Sequence, residues 1–256
     1  MNIYVLMKRT FDTEEKIIIE DGRISEDGVA FIINPYDEYA IEEAMRLRDE
    51  QGGEVTVVTV GDEEAEKELR TALAMGADRA YLINNEEIEV YDQVSTVTLL
   101  DAFFKDKKAD IILGGNVSND NSTGQIGPRL AEKLGIAHVS TIVSLKVDGE
   151  RVTVERDVEG DQEIIEASLP ILVTAQQGLN DPRYPSLPGI MKAKKKPLEV
   201  LDLDDLDIDE EEAEGLTETI DVFLPKARQA GRRIEGEPEE QVTELVRLLR
   251  TEAKII

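Results

Sequence analysis

Short runs of β-branched residues alternate with amphipathic stretches through the first half of this chain, and that alternation limits what it can fold into. "IYVLM" (Ile3 to Met7), "VTVVTV" (Val55 to Val60), "AYLI" (Ala80 to Ile83) and "DIILGG" (Asp110 to Gly115) read as short apolar strands. Strands of that kind are buried on both faces, which requires a parallel sheet covered by helices. The helices between them have legible ends. Asn34 stands where a helix cap belongs, Pro35 takes the first helical position, Asp37 and Glu38 complement the dipole, and Gly52-Gly53 stop the helix. Its buried stripe is Ala40, Ile41, Ala44 and Met45. Asp62 opens a second helix through Leu69, Ala72 and Leu73 to Gly76, and Ser122 or Thr123 opens a third through Ile126, Leu130 and Leu134 to Gly135. The expected fold class is α/β, a Rossmann-like doubly wound parallel sheet.

After Gly135 the pattern changes. "HVSTIVSLKV", "ERVTVERDV", "QEIIEAS" and "PILVTAQ" read as antiparallel strands added to an edge, with Asp148-Gly149 and Gly160-Asp161 as hairpin turns. From Glu199 to Glu214 there are ten acids and no base, the composition of a solvated linker. The closing "PEEQVTELVRLLRTEAKII" puts Val242, Leu245, Leu248 and Leu249 on one helical face. A helix beyond a charged linker packs on something else, such as a second subunit. The expected division is therefore a body over 1–197 and a linker with a C-terminal arm over 198–256.

Composition excludes several function classes. The 29 basic residues against 56 acidic ones leave a net charge of −27, which repels nucleic-acid phosphates and anionic lipid. Neither nucleic acid nor membrane insertion is expected, and no apolar run approaches the roughly 18 residues of a membrane span; the expected location is cytoplasmic. With no cysteine, disulfides, thiolate metal sites, cysteine-held iron–sulfur clusters and thiol nucleophiles are excluded. The one histidine, His138, falls in an expected strand and reads as a satisfied structural residue. There is no HExxH, GxSxG or Walker A loop. No catalytic constellation is legible, so the chain is not expected to be an enzyme. What stands out is "GGNVSNDNSTGQIG", Gly114 to Gly127, which leaves a strand and runs into a helix N-terminus, where doubly wound sheets hold nucleotide phosphates on backbone N–H groups. Loops rich in Gly, Asn and Ser also simply turn corners, and spacing alone leaves both readings open.

"FIINPYDEYAIEEAMRLRD", "RTALAMGADRA" and above all "LNDPRYPSLPGIMKAKKKP" resemble the β subunit of electron transfer flavoproteins, over nearly the whole chain. The resemblance implies an adenine nucleotide α hydrolase-like fold and a heterodimer with an α subunit that holds the redox-active FAD. It implies a structural AMP in this chain, replaced by a second FAD in the electron-bifurcating branch. It further implies that electrons pass from flavin dehydrogenases, such as acyl-CoA dehydrogenases, to a membrane quinone oxidoreductase (the ETF-quinone oxidoreductase). The implied nucleotide pocket falls on Leu6, on Asn34, Pro35, Tyr36 and Asp37, and on Val60. It continues along Gly115, Asn116, Val117 and Ser118, then Asn119, Asp120, Asn121 and Ser122, then Thr123, Gly124, Gln125 and Ile126. Asn116 departs from the family's usual lysine, and Asn121-Ser122 from its frequent acid. The flavin of the α subunit is implied near Tyr36 and Thr13. Residues 179–197 correspond to the loop that docks the dehydrogenase, with Leu187 as anchor among Tyr184, Pro188, Ile190, Met191 and Lys192. Pro185 and Pro188 restrict the backbone around Leu187, and Lys192, Lys194, Lys195 and Lys196 read as a basic island. A stand-alone nucleotide sensor of the universal-stress-protein type would share the fold but has no need of residues 177–256.

Overall fold

The structure is a computed structural model that describes residues 1–228 and 230–256. Two compact units are present: Met1–Ile18 with Ile24–Ile220, and Ile19–Arg23 with Asp221–Ile256.

In chain order come β1 (Asn2–Leu6) and β2 (Arg9–Phe11) of the first unit, the two-residue strand β3 (Ile19–Glu20) of the second, β4 (Arg23–Ile24) where the chain passes back to the first, and β5 (Phe31–Ile33) of the first. Then follow α1 (Pro35–Gln51), β6 (Glu54–Gly61), a 3-10 turn (Glu63–Ala65), α2 (Glu66–Met75), β7 (Arg79–Asn84), α3 (Gln93–Phe104) and β8 (Ile111–Gly115). α4 (Ile126–Leu134), β9 (Ala137–Asp148), β10 (Arg151–Val158), β11 (Asp161–Ser168) and β12 (Ile171–Ala175) come next. The unit closes with α5 (Leu187–Ala193), β13 (Leu198–Leu201) and the short α6 (Glu210–Ala213).

One nine-stranded sheet organises these elements, in the order β11-β10-β9-β12-β8-β1-β6-β7-β13. From β9 to β13 every neighbouring pair is parallel, and β10 and β11 extend the β9 edge antiparallel. The sheet is thus α/β with added antiparallel strands, as expected. Side chains alternate between two cores because successive strand residues point to opposite faces. Ile111 and Leu113 join Ala40, Ile41 and Met45 of α1 and Leu69 and Leu73 of α2 on one face. Ile112 joins Leu99, Leu100 and Phe103 of α3 and Leu130 of α4 on the other.

Several expectations need correction. "PILVTAQ" is not an edge strand: β12 lies inside the sheet, parallel to both β8 and β9, and all five of its residues are buried. Glu199 to Glu214 is not a solvated linker. Its apolar positions do structural work the acid count conceals: β13 pairs with β7, and Leu203, Leu206 and Ala213 are buried beside α3. The compact body therefore runs to Ile220 rather than ending at Pro197. Helix α3 has no counterpart in the sequence reading, although Asp92 caps it by accepting from the N–H groups of Val94 and Ser95. In the second unit α7 (Pro238–Leu248) forms where expected and continues as a π-helix (Leu249–Ala253). None of its residues is buried, and Val242 and Leu245 are exposed.

Candidate functional site

The chain passes from β1 to β6 and β7 on one side, then crosses to β8, β9 and β12 on the other, so β1 and β8 flank the point where strand order reverses. Ligands of open α/β sheets bind outside the carboxyl ends of strands at such a point. A cavity of about 510 Å³ opens there. That size lies within the roughly 300–1,000 Å³ of small-molecule sites.

Asp37 ties the floor together. It is buried in the first turn of α1 and accepts the Lys8 N–H at 2.7 Å and the Gly115 N–H at 2.8 Å, joining the chain beyond β1, the start of α1 and the end of β8. Gly115 is the residue that makes this closeness available. A Cβ there would stand 2.4 Å from Asp37 Oδ1 and 2.6 Å from Tyr36 Cβ. Burial pushes the Asp37 carboxyl up to about 7, even though both N–H donors and nearby Lys8 pull it down.

Asn34 does not cap α1 with its side chain. That side chain is buried and reaches across to the loop after β8, donating from Nδ2 to the Val117 carbonyl at 2.9 Å and accepting the Asn119 N–H at 3.1 Å. The loop is also tied to itself: Asn121 Oδ1 accepts from the Ser118 hydroxyl at 2.9 Å and from the Thr123 N–H at 3.3 Å. Neither Ser122 nor Thr123 opens α4. Ser122 has φ +52° and donates its N–H to the Ser118 carbonyl, and the helix begins at Ile126 with Gln125 in the cap position. Asp120 pairs with Lys8 Nζ. Burial pushes the Asp120 carboxyl up, but the Lys8 ammonium and the Ser118 hydroxyl outweigh this and hold it below the usual range.

Of the residues singled out from sequence, the cavity is lined by Leu6, Asn34, Asp37, Val60, Gly115 to Ser118, Asp120, Asn121 and Thr123 to Ile126. Pro35, Tyr36, Asn119 and Ser122 stand just behind this lining: Asn119 serves through its backbone, and Tyr36 packs its backbone against Gly115. Thr13 lies in an exposed turn after β2. Sequence reasoning missed a second end of the cavity, lined by Arg9, Phe31, Tyr91, Asp92 and Thr96. Arg9 stacks its guanidinium 3.4 Å from the centre of the Phe31 ring and pairs with Glu64 and Glu68. The only local signal for it was the basic pair Lys8-Arg9 directly after the first strand.

Asp92 has a further task. Its Oδ2 accepts from the N–H groups of Leu216 and Thr217 and from the Thr217 hydroxyl, so the last stretch of the body is tied to the cavity rim. His138 departs from expectation. Among the described residues its buried Nε2 has no hydrogen-bond partner, and burial together with Arg156 lowers its pKa.

Residues 179–197, expected as a loop, contain a short helix. Leu187 begins α5, Ser186 caps it by accepting the Gly189 N–H, and Tyr184, Leu187 and Met191 are 92%, 80% and 73% exposed. Pro188, Ile190 and Lys192 are exposed on the same short helix. The basic island loses one member: Lys196 turns inward and donates Nζ to the carbonyls of Leu73 and Ala77, at the end of α2.

The profile of the electron transfer flavoprotein domain matches residues 21–206. Electron transfer flavoprotein subunit beta of Bacillus subtilis (strain 168) is 62% identical over 257 residues, covering 100% of both chains. This chain belongs to the electron transfer flavoprotein β-subunit family. Two further relatives widen the range. Subunit CarD of the caffeyl-CoA reductase–Etf complex of Acetobacterium woodii is 37% identical over 243 residues, 92% of each chain. Protein FixA of Azotobacter vinelandii is 38% identical over 216 residues, 80% of this chain and 77% of that one. Among the described residues no helix is long and apolar enough to cross a membrane.

Proposed function

We propose that this chain is the β subunit of a heterodimeric electron carrier that holds a structural AMP in the cavity at β1 and β8 while an α subunit holds most of the FAD. The observation that carries the reading is the cavity itself, with the loop from Gly115 to Ile126 running into the first turn of α4. N–H groups in a first helical turn have no intrahelical partner and suit an anion. Gly124 holds φ +62°, and a Cβ on Gly127 would come within 2.7 Å of Thr174, so these glycines let the loop turn and the first turn of α4 pack closely on β12. Lys8 and Arg9 line the cavity, Lys8 paired with Asp120 and Arg9 with Glu64 and Glu68. These features fit an adenine nucleotide.

The FAD supplies the electron chemistry when bound, and this chain's residues position rather than react: Asn34 and Asp37 fix the pocket, and α5 presents Leu187 to a dehydrogenase. The carrier operates in the cytoplasm, between flavin dehydrogenases and a membrane quinone oxidoreductase. Denaturing the purified heterodimer and quantifying released nucleotides tests the assignment. One AMP and one FAD per heterodimer are expected, whereas two FAD and no AMP would replace the AMP reading with the bifurcating one.

Docking gives a separate expected result. Burying a leucine side chain contributes roughly 1.5–3 kcal/mol, and about 1.4 kcal/mol is tenfold in affinity. Leu187→Ala is therefore expected to raise the dehydrogenase concentration needed for half-maximal electron transfer about 10- to 100-fold, leaving nucleotide content and melting temperature unchanged. An unchanged half-saturation with an acyl-CoA dehydrogenase would remove Leu187 from this role.

A further inference from the structure

α1 carries two adjacent glutamates, Glu42 and Glu43, that are both buried, at 6% and 3% exposure. Burying carboxylates is costly unless each is fully paired, and buried ion pairs contribute little net stability compared with apolar packing. Both receive partners from the segment that leads into α5, and Arg46 of α1 adds a contact to Glu43 at 3.2 Å. Arg183 grips Glu42 in a fork, with Nε 2.8 Å from Oε2 and a terminal nitrogen 2.8 Å from Oε1, and its backbone N–H also donates to Oε2 at 3.1 Å. Asn180 donates Nδ2 to Glu43 Oε2 at 2.9 Å and to the Tyr39 carbonyl at 3.0 Å.

The far side of α5 is held as well. Arg70 of α2 donates to the carbonyls of Ala193 and Lys196 at 3.0 and 2.9 Å. At Gly189 a Cβ would stand 2.5 Å from the Ala74 carbonyl, so the α5 backbone lies directly on the end of α2. Between these two attachments stand the exposed Tyr184, Leu187 and Met191. An apolar patch of this kind on a free seven-residue helix would lose order in solution, since helices so short are marginal in water.

We propose that Glu42 and Arg183 are positioning residues for docking: their fork on α1, opposite the α2 attachment, holds α5 in the geometry a dehydrogenase meets. The inference rests on the docking role of Leu187. Holding the patch beforehand removes the ordering cost from the binding step, so the fork acts on docking affinity rather than on electron transfer once docked. The fork is bidentate, which a lysine cannot reproduce.

The test uses the purified heterodimer with four substitutions: Glu42→Gln, Arg183→Gln, the two combined, and Arg183→Lys. The combined variant leaves neither charge buried alone, so its behaviour reports the missing fork and not an orphaned carboxylate. Hydrogen exchange and electron transfer from an acyl-CoA dehydrogenase are measured together. In the combined variant, amides of residues 184–193 are expected to exchange about 10-fold faster, with those of β1, β6 and β8 unchanged. The KM for the dehydrogenase is expected to rise about 10-fold at unchanged kcat, with Arg183→Lys intermediate. Unchanged exchange at residues 184–193 would overturn the proposal. So would faster exchange with an unchanged KM when Leu187→Ala raises it, or a fall in kcat alone. If Leu187→Ala itself leaves KM unchanged, the docking reading fails and the proposal with it, and the exchange result then describes rigidity alone.

Discussion

Gly115→Ala is expected to lower the stability of the body by about 3 kcal/mol or more and to empty the cavity of the nucleotide proposed for it. Inserting even one methyl group into a close-packed site costs typically about 1–3 kcal/mol, and here the methyl group has no direction of relief. It would lie 2.4 Å from Asp37 Oδ1, 2.6 Å from Tyr36 Cβ and 2.9 Å from the Tyr36 carbonyl carbon, all at the start of α1. Moving α1 outward breaks the Gly115 N–H bond to Asp37 and strands a buried carboxylate, adding roughly 1–3 kcal/mol for the unmade bond. Urea unfolding and nucleotide quantification on the same preparation provide the check. A variant that keeps both its midpoint and its nucleotide would show that α1 does not sit on β8 as described.

The second large effect is expected at Asp37, and its sign follows from burial. The folded protein holds this carboxyl's proton up to about pH 7, whereas an unfolded chain releases it near ~3.9. Between those values the folded form binds more protons than the unfolded form, so stability falls as pH rises. Asp37's contribution is fully present below ~3.9 and is lost as pH approaches about 7, a span worth about 4 kcal/mol at most. Asp37→Asn removes the titration and is expected to flatten unfolding free energy against pH over this window. It also turns one N–H acceptor into a donor, so at pH 5 the variant should be less stable than wild type by about 1–3 kcal/mol. Denaturant midpoints at half-unit pH steps decide the matter. An undiminished slope in the variant would place the titration on another group.

Both results depend on one junction, and the sequence showed its parts without the junction. Pro35, Asp37 and Glu38 were legible as a helix start because helix-end rules act within a few residues. That Asp37 faces inward and receives a hydrogen bond from Gly115, 78 residues away, was not legible. Asn34 shows the same division: its type announced a cap, while its side chain serves Val117 and Asn119. For β12 the local pattern was right and the placement wrong, because a short apolar strand behind a proline reads alike at an edge and between β8 and β9.

The acidic stretch after Pro197 misled through its average. Ten acids between Glu199 and Glu214 concealed Val200, Leu201, Leu203, Leu206 and Ala213, spaced so that β13 pairs with β7 and three of these side chains enter the core. Lys196 likewise counted as surface charge until α2 presented carbonyls within its reach. By itself the sequence determined the α/β alternation, the ends of α1, the hairpin turns and the apolar face of the last helix, since each depends on neighbours within a turn or a hairpin. Only the tertiary structure decided the strand order, the inward carboxylates at residues 37, 42 and 43, the Arg183 fork and the far end of the cavity. Those depend on which donors and acceptors the chain path brings together, across 78 positions for Asp37 and Gly115 and 141 for Glu42 and Arg183, distances over which local propensity carries no information.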